Sequence, residues 1–246
     1  MPSLVAYKDE NDVNTEVIAK LSGNCDRRTG NLCAEVVGAL LARDLNLNVP
    51  EACLIEFSSP FIRTITDPDI RALAERSSIV GFGSRRLPQG FRAWIAQQHS
   101  SPMLQMAVNI FSFDAFIENA DRRMANSNLL TDGEQIVVYD HELAFISGLT
   151  IIGRKPPWKT GALDYLGNAG ENRHVFYDSL KGQALDFTAI KAAWTAITDQ
   201  RLDAYVTAIP PEWVNESAVW RDAVSQIAGI RDNMTDCLAE VARVLK

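Results

Sequence analysis

The segment from Asn119 to Phe145 constrains this chain more than any other. From Asn126 to Asp140 it reads as two short strands joined by Asp132-Gly133, a strong hairpin signal because glycine tolerates the positive φ of a tight turn. A hairpin folds the chain back on itself, so Asn126 and Asp140 are expected to converge. Asp121 stands just before, on the loop leaving a helix expected over Met103 to Glu118. A carboxylate there is placed to accept the proton of an attacking hydroxyl. Two side-chain oxygens at the far ends of a hairpin suit Mg²⁺, which takes a few protein oxygens and completes its shell with phosphates and water. Base, amide and second carboxylate together form the layout of a phosphoryl-transfer site. Asp and Asn are also common turn formers, so Asp-x-x-x-x-Asn by itself decides nothing. The weight lies in its conjunction with two strands and a terminal aspartate.

The first third reads as mostly extended. Leu4 to Lys8 and Thr15 to Leu21 form a hairpin around the polar turn Asp9 to Asn14, and a Gly- and Arg-containing loop runs from Ser22 to Gly30. Leu32, Val36, Leu40, Leu41 and Leu45 repeat at helical spacing over Asn31 to Leu47, until Val49-Pro50 ends the pattern. A strand over Ala52 to Phe57, a short helix over Thr66 to Arg76 and a strand over Ile79 to Gly83 follow, the last running into a Gly81 to Arg86 turn. Lys20 ends one strand and Glu35 lies early in the next helix. A lysine that orients phosphates, held by a glutamate from a neighbouring helix, is how a kinase small lobe works. Their bland alternative is a solvated lysine and a surface carboxylate.

Beyond residue 100 the pattern turns helical. Leu104, Val108, Phe111 and Ala115 form one stripe of an amphipathic helix over Met103 to Glu118. An irregular Gly148 to Gly170 stretch precedes helical blocks at Phe187 to Ala208 and Glu216 to Val244. The expected class is α+β: a small β-rich lobe over residues 1–85, carrying one helix, and a larger, mainly helical lobe over residues 86–246.

With a net charge of -7, nucleic acid and anionic membranes are not expected partners. No apolar run approaches the length of a membrane span, and no basic-then-apolar leader opens the chain. Cys25, Cys33, Cys53 and Cys237 are scattered, without metal spacing, and read as reduced thiols of a cytoplasmic protein. Only three histidines occur, which disfavours a zinc site.

The chain resembles the HipA-like kinases, within the wider group that includes the phosphatidylinositol kinases. The resemblance is carried by Val17-Ile18-Ala19-Lys20, the helix Ala34 to Ala42, Leu47-Asn48-Val49-Pro50-Glu51, Phe82-Gly83-Ser84, Asn119-Ala120-Asp121-Arg122, Asn126 to Leu130, Tyr139-Asp140-His141 and Ile209-Pro210-Pro211-Glu212-Trp213. It implies a two-lobed protein kinase-like fold that transfers phosphate from ATP to Ser or Thr of a protein. Lys20 would then bind the phosphates and Glu35 would pair with it, as the helix corresponding to αC requires. Asp121 would be the base, and Asn126 and Asp140 would hold Mg²⁺. Phe82, Gly83 and Ser84 would sit in the hinge that meets adenine.

Three departures accompany the resemblance. No Gly-x-Gly-x-x-Gly or Gly-x-x-x-x-Gly-Lys-Ser/Thr is present, and the usual first strand and phosphate-covering loop are not apparent. Arg27, Arg28 and the glycines of Ser22 to Gly30 are a candidate anion nest in their place. Glu142 replaces the glycine of Asp-x-Gly, and Arg123 stands where the phosphatidylinositol kinases commonly keep a histidine. His141 is expected to pack beside the metal site. A nucleotide-binding or inactive kinase-fold module acting through a protein partner, and a small-molecule or lipid kinase, are the competing functions. Nothing in the sequence marks the acceptor or a regulatory protein partner.

Overall fold

The computed structural model describes residues 3–8, 14–95, 101–146, 155–167, 170–214 and 218–246. Among these it is a mixed α/β structure with two small antiparallel sheets and ten α-helices. The first sheet has the order β1-β2-β4-β3, with β1 at Ser3–Lys8, β2 at Asn14–Lys20, β3 at Ala52–Glu56 and β4 at Val80–Arg85. β1 pairs with β2 along its whole length, from Ser3 opposite Ala19 to Lys8 opposite Asn14. The amino-terminal hairpin is therefore as expected, and a strand does precede the one bearing Lys20; the turn between them lies outside the described residues.

The Gly81 to Arg86 turn is not a turn. Gly81 to Arg85 belong to β4, a central strand paired to β2 on one side and β3 on the other. Glycine here answers crowding. A Cβ on Gly83 would lie 2.5 Å from Ile55 Cδ1 and 2.9 Å from Cys53 Sγ, and one on Gly81 would lie 2.9 Å from the Lys20 carbonyl. In an alternating strand such glycines mark close approach, a signal easily mistaken for a bend.

The first helix, α1, spans Thr29–Asp44 and is buried on nearly every side, not along one stripe. β4 and β3 pack against it, as do three helices of the carboxy-terminal half, α7 (Asp199–Thr207), α8 (Pro211–Val214) and α9 (Val219–Asp232). Sandwiched helices carry apolar or small residues all round, which is why Ala34, Gly38, Ala39 and Ala42 share it with Leu32, Val36, Val37 and Leu41. The helix α2 at Ser59–Thr64, begun by the Ser58 hydroxyl accepting from Phe61 N, is not anticipated by the sequence pattern. The next, α3, occupies Pro68–Glu75, capped by Asp67.

The second sheet is β5 (Arg92–Ala93), β6 (Leu129–Thr131) and β7 (Ile136–Val138), in that order. The Asp132-Gly133 hairpin is present, with Leu129 opposite Val138 and Thr131 opposite Ile136. Its loop has four residues; the Asp132 carboxylate accepts from the backbone of Glu134 and Gln135. The long helix α4 spans Ser101–Phe116 and is enclosed along its carboxy-terminal half, where residues from Ile110 to Phe116 are all buried. It too exceeds an amphipathic pattern.

The rest is helical: α5 at Tyr177–Leu180, α6 at Thr188–Thr195, the three named above, and α10 at Met234–Val244. The two expected blocks are each broken. Thr198 caps a new helix after α6, and Asn233 separates α9 from α10. Trp213 of the Pro-Pro-Glu-Trp landmark is fully buried and donates its indole N–H to the Val80 carbonyl at 3.0 Å, joining the tail to β4. Residues 147–154 and 168–169 of the irregular stretch lie outside the described residues. One apolar cluster unites α1, α4 and the carboxy-terminal helices, and a smaller one lies between β2, β3 and α3. None of the described helices is long and apolar enough to cross a membrane.

Candidate active site

The end of β2 delivers Lys20 to a cluster of three carboxylates. Lys20 Nζ donates to Glu35 Oε1 at 2.5 Å, to Asp140 Oδ1 at 2.7 Å and to Glu142 Oε2 at 3.1 Å. The expected Lys20–Glu35 pair is therefore formed, and Asp140 joins it from the far side of the hairpin. Glu142, read from sequence only as a departure, is a third partner. Burial pulls the Lys20 pKa down, but Glu35, Asp140 and Glu142 together raise it well above the usual lysine value. Burial likewise pushes Glu35 up, and Lys20 with His141 more than reverses this, holding it below the usual carboxylate range. Asp140 goes the other way: burial and the Glu35 charge raise it despite Lys20.

The main chain around Asp140 is shaped for this meeting. Asp140 has φ +61°, in the left-handed region that aspartate tolerates better than most residues. His141 N donates to Glu35 Oε2 at 2.9 Å, so one glutamate holds both Lys20 and the segment after Asp140. His141 is buried, with its ring edge-on to Phe113 at 5.6 Å, the packing role expected of it. Gly38 makes room: a Cβ there would lie 2.6 Å from His141 Cβ.

Arg27 is not part of an anion nest. Its guanidinium donates to the Glu142 and Ala144 carbonyls and to Asn31 Oδ1, pinning the segment that follows Asp140. Arg28 is likewise engaged with the Arg76 carbonyl. Guanidinium forks match backbone carbonyls as readily as phosphate, and sequence does not distinguish the two.

Asp121 and Asn126 form a second group. Asp121 Oδ2 accepts from Asn126 Nδ2 at 2.8 Å and from Asn128 Nδ2 at 2.9 Å; the part of Asn128 was not anticipated. Because Asn126 uses its nitrogen on Asp121, its carbonyl oxygen remains as a donor toward a cation. The loop rests on Arg122, which is fully buried. Arg122 Nε donates to Asp114 Oδ2 at 2.6 Å, and Nη1 reaches the Asn128 carbonyl at 2.5 Å and the Tyr139 carbonyl at 3.2 Å. One guanidinium thus ties α4 to both ends of the hairpin, and so the Asp121 group to the Asp140 group. Asn119 and His174 complete the shell of Asp114, at 3.0 and 3.2 Å.

Between β2, β4 and the hairpin lies a cleft of two adjoining cavities. The inner one, about 80 Å³, is bounded by Lys20, Glu35, Phe82, Ser84, Tyr139 and Asp140. The outer, about 360 Å³, shares Ile18, Pro50, Ser84 and Tyr139 with it and extends over Arg86 to Gln89, Phe91 and Leu130. Phe82 and Ser84 therefore face the cleft. Gly83 faces Ile55 and Cys53 on the opposite side, as strand alternation requires. Ser84 and Arg85 at the end of β4, and the chain that leaves it, line the outer cavity.

The donor set fits a hard divalent cation. Carboxylate oxygens of Glu35, Asp140 and Glu142 lie within 4.8 Å of one another, and a single ammonium does not neutralise three carboxylates.

No curated protein matches the chain. A family model described as HipA-like kinase matches residues 18–154, more than half of the sequence, starting on β2 just before Lys20 and taking in Glu35, Asp121, Asn126 and Asp140. This chain belongs to the HipA-like kinase family.

Proposed function

We propose that the protein transfers the γ-phosphate of ATP, with Mg²⁺, to a serine or threonine hydroxyl of a protein. The single observation that carries this is the meeting of Lys20, Glu35 and Asp140 from β2, α1 and the hairpin end, with Lys20 within 2.7 Å of both carboxylates. Supporting it, the cleft opens from that cluster toward an outer cavity bounded by Ile18, Pro50 and Leu130, an apolar setting for a base.

In this reading β1 to β4 with α1 form the smaller of two lobes, residues 1–85, and residues 86–246 the larger. Lys20 neutralises charge on the phosphates and Glu35 fixes its position. Asp121 Oδ1 takes the proton of the acceptor hydroxyl, while Asn126 and Asn128 fix the other oxygen. The acceptor oxygen bonds to the γ-phosphorus as the bridging bond to the β-phosphate breaks, releasing ADP. Asp140 and the Asn126 carbonyl oxygen, with Glu142 alongside, would hold Mg²⁺, which offsets phosphate charge when bound. Phe82 and Ser84 border the nucleotide, and the backbone after β4 meets adenine.

The test is incubation with labelled ATP, Mg²⁺ and a lysate as acceptor. Wild type should label protein; Asp121→Asn and Asp140→Ala should not, and Asp121→Asn should still bind nucleotide. Undiminished labelling by Asp121→Asn would refute the base.

A second reading has one observation in its favour. Lys20 already has three carboxylate partners, Asp140 among them, which suits a kinase-fold module that binds nucleotide without turning it over. Magnesium-dependent ATP binding with no transfer by wild type would select it.

A further inference from the structure

The proposed phosphotransfer gives Arg123 no role, yet Arg123 flanks the reacting oxygen. Its Nε lies 3.4 Å from Asp121 Oδ1 without forming a hydrogen bond, and its Nη1 donates to Asn172 Oδ1 at 2.9 Å. Because Asn126 and Asn128 both occupy Asp121 Oδ2, Oδ1 is the oxygen left to take a proton. An acceptor hydroxyl must therefore arrive beside Arg123.

Arg123 also lines a cavity of about 280 Å³, distinct from the nucleotide cleft, together with Asn119, Arg122, Tyr165, Asn172 and His174. Two arginines border it and, among the described residues, no acidic side chain lines it; Asp114 pairs with Arg122 and Asp121 lies 3.4 Å from Arg123, both outside the lining. Arg122, almost wholly buried, has one terminal nitrogen, Nη2, without a hydrogen-bond partner, an uncommon state for a buried charged group. Burial holds His174 to its neutral form, so its contribution is polar and not cationic. At about 280 Å³ the space has room for an aspartate or glutamate side chain and falls just below the usual range of drug-sized ligand pockets.

We propose that this cavity receives an acidic side chain of the acceptor polypeptide, next to the serine or threonine being phosphorylated, and that Arg123, steadied by Asn172, binds its carboxylate. This rests on the phosphotransfer reading and names its substrate class. A guanidinium offers a carboxylate two parallel N–H donors, so its recognition is directional as well as electrostatic. Arg123 is thus a specificity-determining residue, and the acidic neighbour holds the hydroxyl against Asp121 Oδ1.

The experiment uses the full chain, Mg²⁺-ATP and two peptides with one serine each, flanked in one by glutamates and in the other by glutamines. Wild type should favour the acidic peptide by about tenfold in kcat/KM, the low end for a charged hydrogen bond. Arg123→Ala should reduce the preference to about one, and Arg123→Lys should restore part of it. Asn172→Ala, at an exposed position, should weaken it without touching the fold. Calorimetry with acidic and neutral peptides carrying alanine in place of serine reads binding apart from turnover. Equal transfer to both peptides, or a preference that survives Arg123→Ala, overturns the inference and leaves phosphotransfer standing. Binding of the acidic alanine peptide that depends on Arg123, with no transfer by wild type, upholds the cavity and overturns phosphotransfer. Neither binding nor transfer overturns both.

Discussion

Lys20 Nζ lies 2.7 Å from Asp140 Oδ1, so the cation proposed for the phosphates rests on the carboxylate proposed for the metal. Glu35 and Glu142 share the same ammonium, and the cluster as a whole keeps an excess of negative charge. A nucleotide with its cation brings both signs at once. The phosphates can draw Lys20 away while the cation takes over the carboxylates it leaves. Glu35, the most buried of the three, is the anchor in either arrangement.

Removing that cation should be costly. Lys20→Met leaves Glu35, buried and ionised, without its partner, and breaking a buried pair from one side costs about 3–5 kcal/mol. Thermal denaturation should show a clearly lowered midpoint. Mg²⁺ alone should raise the midpoint of the variant more than that of wild type, because the carboxylates stand bare. Equal shifts in both proteins would count against Asp140 and Glu142 as cation ligands.

Gly38→Ala tests the seam between α1 and the segment after Asp140. The new Cβ would overlap His141 Cβ and Cγ, at 2.6 and 2.8 Å, and neither belongs to the mobile end of a side chain. One side must shift, at about 1–3 kcal/mol for overpacking. The shift also strains the bond from His141 N to Glu35, so nucleotide affinity should fall together with stability. A variant as stable as wild type with unchanged affinity would show that the seam yields freely.

Arg122→Lys keeps the charge and loses the geometry. A single ammonium cannot reach Asp114 Oδ2 while also serving the Asn128 and Tyr139 carbonyls. The Tyr139 carbonyl loses the Arg122 donor and the Asn128 carbonyl keeps only the Tyr139 N–H at 3.3 Å, and the cost expected is about 1–3 kcal/mol. Hydrogen exchange should rise at residues 121–128 and 138–141 ahead of the rest of the chain. Uniform protection there would mean the hairpin holds itself without Arg122.

The sequence pattern exposed those parts of the site that local chemistry determines. Asp132-Gly133 signalled the hairpin because few residue pairs allow that reversal. Lys20 and Glu35 stood out because a strand-end lysine and a helix glutamate have a known joint use. Signals for close approach were harder to interpret. Gly81 and Gly83 read as a turn, though they exist to let β4 pass Phe57, Ile55 and Cys53. Arg27 read as an anion ligand because nothing local reveals that its partners are the carbonyls of residues 142 and 144. Helices α1 and α4 read as one-sided because the stripe pattern cannot report that small residues on the other face are buried as well. The roles of Asn128 and Glu142 were not legible for a similar reason. Each acts through a partner fixed only by the tertiary fold.

The pH dependence of stability should carry the mark of His174. Its Nδ1 accepts from the Phe176 N–H at 3.2 Å, which assigns the ring proton to Nε2, facing Asp114 Oδ2 at 3.2 Å. Burial, opposed by Asp114, lowers its pKa below the ordinary histidine value. Protonation would end the bond from Phe176 and place a second cation beside Arg122. The unfolded chain, in which histidine titrates near about 6.5, therefore takes up the proton first. Stability contributed by neutral His174 is fully present above that value and is lost as pH falls from it toward the folded-state pKa. Thermal midpoints measured from pH 7.5 to pH 5 should decline for wild type over this interval. His174→Gln can keep a donor to Asp114 but cannot titrate, so its midpoint should start lower and decline less. Parallel declines in the two proteins would place the acid sensitivity elsewhere.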